Sequence, residues 1–139
     1  MARPSSLTSE LIRKARSVKR IDPVVQSLAE HLAEIPELRH VKIFPVRLTA
    51  SNVLSEDGKK NPVVRVGADG IVGVDLLIDG EAKVVQFFGL TSAIKGCGRK
   101  IVAAVVNATP EDWHLAVAMD WSGGFWRRMA EDYPRLLIA

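Results

Sequence analysis

The sequence predicts one α+β domain, and three changes in the spacing of its apolar residues carry that prediction. Apolar residues recur at helical spacing before residue 40, alternate at strand spacing through the middle, and mark strand and helix segments in turn through the second half. A chain of 139 residues with 47% hydrophobic and 25% charged residues suits a single globular domain. We therefore expect one domain over 1–139, with a flexible start at 1–8, a helix pair at 9–40 and a core at 41–139.

Two helices are predicted in the N-terminal part. The first covers roughly 9–20, where one stripe of the helix is apolar. The second begins at Asp22, because Asp caps helix N-termini and Pro23 suits the first helical position. Pro36 ends it.

An antiparallel meander is predicted next. The segment 41–48 has strand character, and Pro45 within it indicates a sheet edge or a bulge. The polar segment 49–61 is expected to be a mobile loop. Asp79 and Gly80 have the sequence of a two-residue hairpin turn. The three strands of the meander are expected at 63–66, 71–78 and 83–88.

The second half is predicted to alternate strand and helix. After the strand at 83–88 comes a glycine-containing loop, and the elements that follow are a helix at 99–107, a strand at 113–119, a helix from about 122 to 132 and a final strand at 136–138. We therefore expect the meander to lead into a strand–helix–strand–helix unit.

The glycine turn before residue 99 is the predicted centre of the chemistry. A strand that feeds a glycine turn and then a helix makes an anion site, because free backbone N–H groups and the positive helix end point to one place. Gly96 and Gly98 would let a phosphate approach the main chain without a Cβ in the way. Positive charge at this turn comes from Lys95, Arg99 and Lys100.

The order of elements and the loop Ala93-Ile94-Lys95-Gly96-Cys97-Gly98 resemble the GNAT N-acetyltransferase superfamily. In that family an antiparallel meander leads to a pyrophosphate loop of pattern Gln/Arg-x-x-Gly-x-Gly/Ala, then to a helix, a strand and a further helix. The Gly-x-Gly matches, whereas Ala93 stands where the family has Gln or Arg. The resemblance covers about 41–138 and implies a GNAT-like mixed sheet. The helix pair at 9–40 departs from the family, which often carries two helices between its first two strands.

The resemblance also implies acetyl-CoA as co-substrate. The family lays the pyrophosphate on the amides of 94–99 and the pantetheine arm along the strand at 83–88, as an added strand. An amine would attack the thioester directly, and amides near 86–89 would stabilise the oxyanion. The cofactor-binding residues expected on this basis are Phe87, Phe88, Gly89, Lys95, Gly96, Cys97, Gly98, Arg99 and Lys100.

Candidates for proton transfer are fewer. The carboxylates available near the strand ends are Asp75, Glu81 and Asp120. The resemblance favours Asp120, because it follows the strand at 113–119, which in the family adjoins the cofactor strand. Its alternative role is to cap the last helix together with Ser122. The family often has a Tyr in its last helix near the leaving thiolate, and this chain offers Tyr133 at the end of that helix.

Other residues have simpler interpretations. Cys97 has no histidine at a spacing typical of a cysteine nucleophile, so we expect a small packing residue. The three histidines lack metal-ligand spacing, so no structural metal is expected. The aromatic residues of Trp121-Ser122-Gly123-Gly124-Phe125-Trp126 either wall a pocket or fill the core.

The charge distribution supports an alternative function. Segment 1–20 carries six basic residues against one acidic residue, a balance of +5 in a chain of net charge +3. Such a segment is either a solvated helix face or a contact for nucleic acid or protein. The alternative to the enzyme is therefore a non-catalytic GNAT-like or α+β binding module.

Location and partners follow from what the sequence lacks. It has no apolar run near the ~20 residues of a membrane span and no apolar stretch after its start, so we expect neither a membrane partner nor a signal peptide. A single cysteine excludes an internal disulfide, which favours a cytoplasmic location. The expected partners are a CoA thioester and an unidentified amine.

Overall fold

A computed structural model describes residues 22–65, 68–118 and 124–138. Within these residues the chain is an α+β fold with a mixed six-stranded sheet and three helices, which confirms the predicted class. The elements are α1 (Pro23–Ala33), β1 (His40–Phe44), β2 (Arg47–Ser51), β3 (Val72–Asp79), β4 (Val84–Ser92), α2 (Cys97–Ala108), β5 (His114–Val117), α3 (Phe125–Asp132) and β6 (Leu136–Ile138). The helix predicted over 9–20 lies outside the described residues.

The sheet keeps its strands in chain order, β1 to β6. The first four strands pair antiparallel, and β4, β5 and β6 pair parallel. A parallel pair needs a crossover connection, which α2 supplies between β4 and β5 and α3 between β5 and β6. The predicted order of strand, helix, strand and helix is therefore confirmed.

One face of the sheet holds the hydrophobic core. Val72, Val74 and Leu76 alternate along β3, and each is fully buried. They belong to one cluster to which all three helices contribute, through residues such as Leu28, Val102 and Met129. The described helices therefore pack on one face of the sheet, and the intervening residues of each strand form the other face.

Helix α1 begins where the sequence predicts. The Asp22 carboxylate Oδ1 accepts a hydrogen bond from the Val24 amide at 2.9 Å, and Pro23 occupies the first helical position, where no N–H is needed. The helix ends at Ala33, three residues before Pro36.

The single strand predicted at 41–48 is wrong, because the chain forms a hairpin there. Phe44 pairs with Arg47, so Pro45 and Val46 make a two-residue turn between β1 and β2. Proline has no amide proton for a ladder and a fixed φ that suits a turn. The polar segment that follows was predicted as loop from 49, but its first three residues belong to β2.

The strand predicted at 63–66 is also wrong where the structure describes it, because 63–65 has no regular structure. The place beside β3 is taken by β2, which pairs with it over five positions. Val64 instead packs over the sheet, so that a Cβ on Gly73 would lie 3.1 Å from its Cγ2.

The hairpin between β3 and β4 has a longer turn than predicted. Asp79 pairs with Val84, which leaves four residues in the connection. Asp79 Oδ1 accepts from the amides of Glu81 and Ala82 at 3.1 and 3.0 Å, and Lys83 adopts a left-handed φ of 57°. These side-chain hydrogen bonds favour a wider turn over the two-residue type. The antiparallel pairing of the two strands is confirmed.

The cap of α1 provides a test of the fold. Replacing Asp22→Ala removes the acceptor for the Val24 amide and is expected to lower the free energy of unfolding by about 1 kcal/mol. Asp22→Asn keeps an acceptor oxygen and should stay close to the unmodified protein. Urea denaturation followed by circular dichroism measures both. An equal loss in the two variants would show that Asp22 acts through its charge rather than as a cap.

Candidate functional site

A β-bulge interrupts the ladder between β3 and β4. Leu76 pairs with Phe87 and Asp75 pairs with Gly89, so that Phe88 is an extra residue in β4. Phe87 is 2% exposed in the core, whereas Phe88 is 55% exposed. A bulge of this kind bends its strand and re-aims side chains, and bulges are frequent beside functional sites.

Strand β4 extends well beyond its pairing with β5. The parallel ladder runs from Val84 to Phe87, and the Ala118 amide adds one hydrogen bond to the Phe87 carbonyl at 3.1 Å. In the described part of the chain, the remainder of β4 up to Ser92 has no neighbour on that side. β5 is thus hydrogen-bonded to β4 only along the first part of β4.

The unpaired part of β4 carries free backbone donors. The Ala93 amide donates to the Ile71 carbonyl of the chain entering β3 at 3.1 Å. Because backbone groups alternate in direction along a strand, the amides of Leu90 and Ser92 face away from β3, toward the side of β5. Among the described residues these two amides have no acceptor.

The glycine turn continues this line of donors. Gly96 is the N-cap of α2 with a left-handed φ of 90°, and no side chain caps the helix. The Cys97 amide donates to Ile94 at 3.1 Å. The next two amides, of Gly98 and Arg99, have no acceptor in the described ranges, and they lie at the positive end of the helix dipole. The helix begins two residues earlier than predicted.

The two glycines are required for different reasons. A Cβ on Gly96 would meet nothing within 4 Å, so its left-handed φ is what favours glycine there. A Cβ on Gly98 would lie 3.2 Å from the Phe125 ring. The Phe125 ring therefore favours a glycine at 98 whether or not a ligand binds, and the phosphate approach expected there stays a prediction.

The charges of the turn are exposed. Lys95 and Lys100 are exposed and have no ion-pair partner among the described side chains. Arg99 pairs with Asp132 at 2.6 Å, joining the first turn of α2 to the last turn of α3. An exposed pair of this kind contributes little stability, so Arg99 can exchange its partner.

Cys97 is a packing residue in this arrangement. Its side chain is in the core and the residue is 1% exposed. Burial and the nearby Glu37 carboxyl raise the pKa of the Cys97 thiol. A thiol with a raised pKa is a poor nucleophile at neutral pH.

Only some of the residues predicted to transfer protons lie in the described part of the chain. Asp120, Trp121 and Ser122 lie outside the described residues. Tyr133 is the C-cap of α3, half-buried, and packs against the core cluster. Glu81 is exposed in the turn between β3 and β4.

Two aromatic residues of segment 121–126, Phe125 and Trp126, are described, and both pack in or against the core. Trp126 is 5% exposed, with its ring centroid 4.8 Å from that of Phe87 and 5.2 Å from that of Phe125. Such tilted and edge-on contacts are typical of core aromatics. Of the two interpretations of this segment, the core-filling one describes Trp126.

A row of polar residues that was not predicted from the sequence crosses the other face of the sheet. Lys42 lies opposite Thr49, Thr49 opposite Asp75, and Asp75 opposite Gly89 beside the bulge. Arg47 binds the Asp75 carboxylate from the neighbouring row. The sequence does contain a pattern that indicates this row, because every second residue of β2 is polar. The pattern is hidden when 41–48 is taken as one strand, since that strand would end inside β2.

Comparisons with protein-family models, with curated proteins and with solved structures find no match for this chain. In the described residues no three His, Cys, Asp or Glu side chains are grouped so that they could hold a metal ion. None of the helices described is long and apolar enough to cross a membrane.

The burial of Cys97 predicts its reactivity. Because the pKa of its thiol is raised in the folded protein, the thiolate fraction at a given pH is smaller than in the unfolded chain. Iodoacetamide labelling at pH 8 should be much slower in the native protein than in denaturant, and the native rate should keep rising at higher pH. Mass spectrometry measures both rates. Equal rates at pH 8 would contradict the packing role.

Proposed function

We propose that this chain is an acyl-CoA-dependent N-acyltransferase that transfers an acetyl group to an amine by direct attack. The observation that carries the proposal is the line of unpartnered backbone donors that runs from the open part of β4 to the first turn of α2. Acetyl-CoA offers acceptors of matching kind along its length, from amide carbonyls in the pantetheine arm to the pyrophosphate. The resemblance to the GNAT superfamily, expressed in the order of the elements, supports the same assignment.

The open part of β4 suits the pantetheine arm. Leu90 and Ser92 expose their backbone groups to the side where β5 no longer pairs. An extended ligand with amide groups can add to such an edge through main-chain hydrogen bonds. The bulge at Phe88 lies at the start of this edge, where the thioester end of the ligand would lie beside residues 86–89.

The glycine turn suits the pyrophosphate. The amides of Gly98 and Arg99 and the positive end of α2 favour an anion, and Lys95 and Lys100 add mobile positive charge. Arg99 can leave its exposed ion pair with Asp132 for a phosphate oxygen. The turn lacks the Gln or Arg that the family has at the position of Ala93, so lysine charge would replace it.

The reaction needs no covalent enzyme intermediate. The amine nitrogen forms a bond to the thioester carbon, and the carbonyl oxygen becomes an oxyanion. A backbone amide at this end of β4 stabilises it, and the Leu90 amide, next to 86–89, is the first that faces the side of β5 without an acceptor among the described residues. The C–S bond then breaks, a base takes the amine proton, and the CoA thiolate is protonated as it leaves. We propose Asp120 as the base and Tyr133 as the acid, as the resemblance suggests.

Heat protection by acetyl-CoA tests the proposal. A ligand at ~100 times its dissociation constant stabilises the folded state by about 2.7 kcal/mol, which should raise the melting temperature by several degrees. Free CoA should protect similarly and acetate should not. Gly96→Asp should remove the protection, because it adds a negative charge where the phosphates would bind.

The matched control is Gly58→Asp. Gly58 has a left-handed φ of 84°, and a Cβ there also meets nothing within 4 Å, so both variants carry similar backbone strain and the same charge change. Gly58 lies in the loop between β2 and β3, away from the turn. Acetyl-CoA should still protect the control. If millimolar acetyl-CoA leaves the melting temperature of the unmodified protein unchanged, the acetyltransferase assignment is to be dropped.

A further inference from the structure

The face of the sheet opposite the helices contains a buried carboxylate that the reaction scheme above does not use. Asp75 is 6% exposed and lies at the centre of the polar row, directly opposite Gly89 beside the bulge. Only one partner of its ion pair is buried, because the Arg47 side chain that binds it is half exposed. The buried carboxylate thus holds a charged group that solvent can reach, on the sheet face beside the bulge.

The geometry of the Arg47–Asp75 pair leaves half of the guanidinium free. Arg47 Nε donates to Asp75 Oδ1 at 2.7 Å, and Nη2 donates to Oδ2. Thr49 Oγ1 also donates to Oδ1, at 3.3 Å. This uses one edge of the guanidinium. The other edge, which carries Nη1, has no acceptor among the described residues.

The two partners differ in their access to solvent. The Asp75 side chain is 8% exposed, and that of Arg47 is 46% exposed. The pKa of Arg47 is raised, mainly by its hydrogen bond to Asp75, so the guanidinium stays charged. The structure thus holds a half-exposed arginine in a fixed orientation, with one guanidinium edge free among the described residues.

We propose that the free edge of Arg47 binds the carboxylate of the amine acceptor, which makes the acceptor an amino acid. This inference rests on the proposed function, since it names the second substrate of the same site. A guanidinium edge binds a carboxylate through two parallel hydrogen bonds, and a pre-oriented arginine does so with less loss of side-chain freedom. Asp75 is a positioning residue for Arg47.

The spacing between the strands suits an α-amino acid. The guanidinium contacts Asp75 on β3, and β4 lies one strand spacing away, about 4.8 Å. Gly89 of β4 is one of the residues 86–89 beside which the thioester carbonyl would lie. The amine and carboxylate of an α-amino acid are attached to one carbon, so a carboxylate on Arg47 brings the amine close to β4.

An open groove that begins in the cross-strand row of Arg47, and that neither Arg47 nor Asp75 lines, can take the side chain of the acceptor. It has a volume of about 730 Å³ and is lined in part by Leu77 and Gln86, which lie in the same cross-strand row as Arg47. Val46 and Val84 add apolar surface to it. The other lining residues include Asp22, Asp79 and Glu81, whose charge disfavours an acidic side chain.

The test compares an amino acid with its decarboxylated counterpart. In the presence of CoA, L-leucine should bind roughly 10- to 100-fold more tightly than 3-methylbutylamine, because a charge-assisted hydrogen-bond pair distinguishes them. L-glutamate should bind more weakly than L-leucine. Titration calorimetry measures binding without any acyl transfer. Equal affinity for L-leucine and 3-methylbutylamine would overturn the inference.

Variants separate a binding role from a merely structural ion pair. Arg47→Met should abolish the preference for L-leucine, and Arg47→Lys should reduce it, because a lysine paired with Asp75 has no second edge. Arg127→Met removes an exposed arginine on α3, on the helix side of the sheet, and should leave the preference unchanged. If Arg47→Met fails to fold, the double variant Arg47→Met with Asp75→Leu removes both charges and keeps an apolar pair. A preference that persists in the folded single or double variant shows a structural pair and overturns the inference.

The two proposals fail in distinguishable ways. If acetyl-CoA protects the protein but L-leucine and 3-methylbutylamine bind equally, the acyltransferase stands and the acceptor assignment falls. If L-leucine binds through Arg47 but acetyl-CoA gives no protection, the chain binds amino acids on this face and the acyltransferase assignment falls.

Discussion

The ladder between β3 and β4 is the interaction on which the rest of the structure depends. It is the longest pairing in the described sheet, and its core-facing residues include Leu76 and Val85, which are both fully buried. β4 is also the strand where the sheet changes from antiparallel to parallel pairing. The glycine turn and the crossover helix α2 that follow β4 are therefore placed by it.

Parts of the fold could be predicted because short-range chemistry decides them. The start of α1 at Asp22 and Pro23 follows from capping, and the order of the second half follows from the period of its apolar residues. The first half was less predictable. Pro45 suits a bulge, a strand edge or a turn, and only the pairing of β2 with β3 selects the turn. The turn after Asp79 likewise depends on hydrogen bonds that a Gly-containing dipeptide does not reveal.

The candidate site was predictable in its main-chain part and unpredictable in its side-chain part. A glycine turn between a strand and a helix is visible in the sequence, and Gly96 takes the left-handed conformation such turns need. The partnership of Arg47 with Asp75 joins residues 28 positions apart, and it depends on a strand register that no local pattern specifies. Asp120, the favoured base, lies outside the described residues and stays a prediction.

The bulge at Phe88 changes the phase of β4. Before it the odd-numbered Val85 and Phe87 face the core, and after it the even-numbered Leu90 packs there. The same shift acts on the main chain, since backbone groups that face β5 are odd-numbered up to Phe87 and even-numbered beyond it. One inserted residue therefore lets a single strand follow two phases, one that pairs with β5 and one that leaves its donors without an acceptor among the described residues. A β4 of regular alternation could hold only one of these phases, whereas its pairing with β3 continues on both sides of the extra residue.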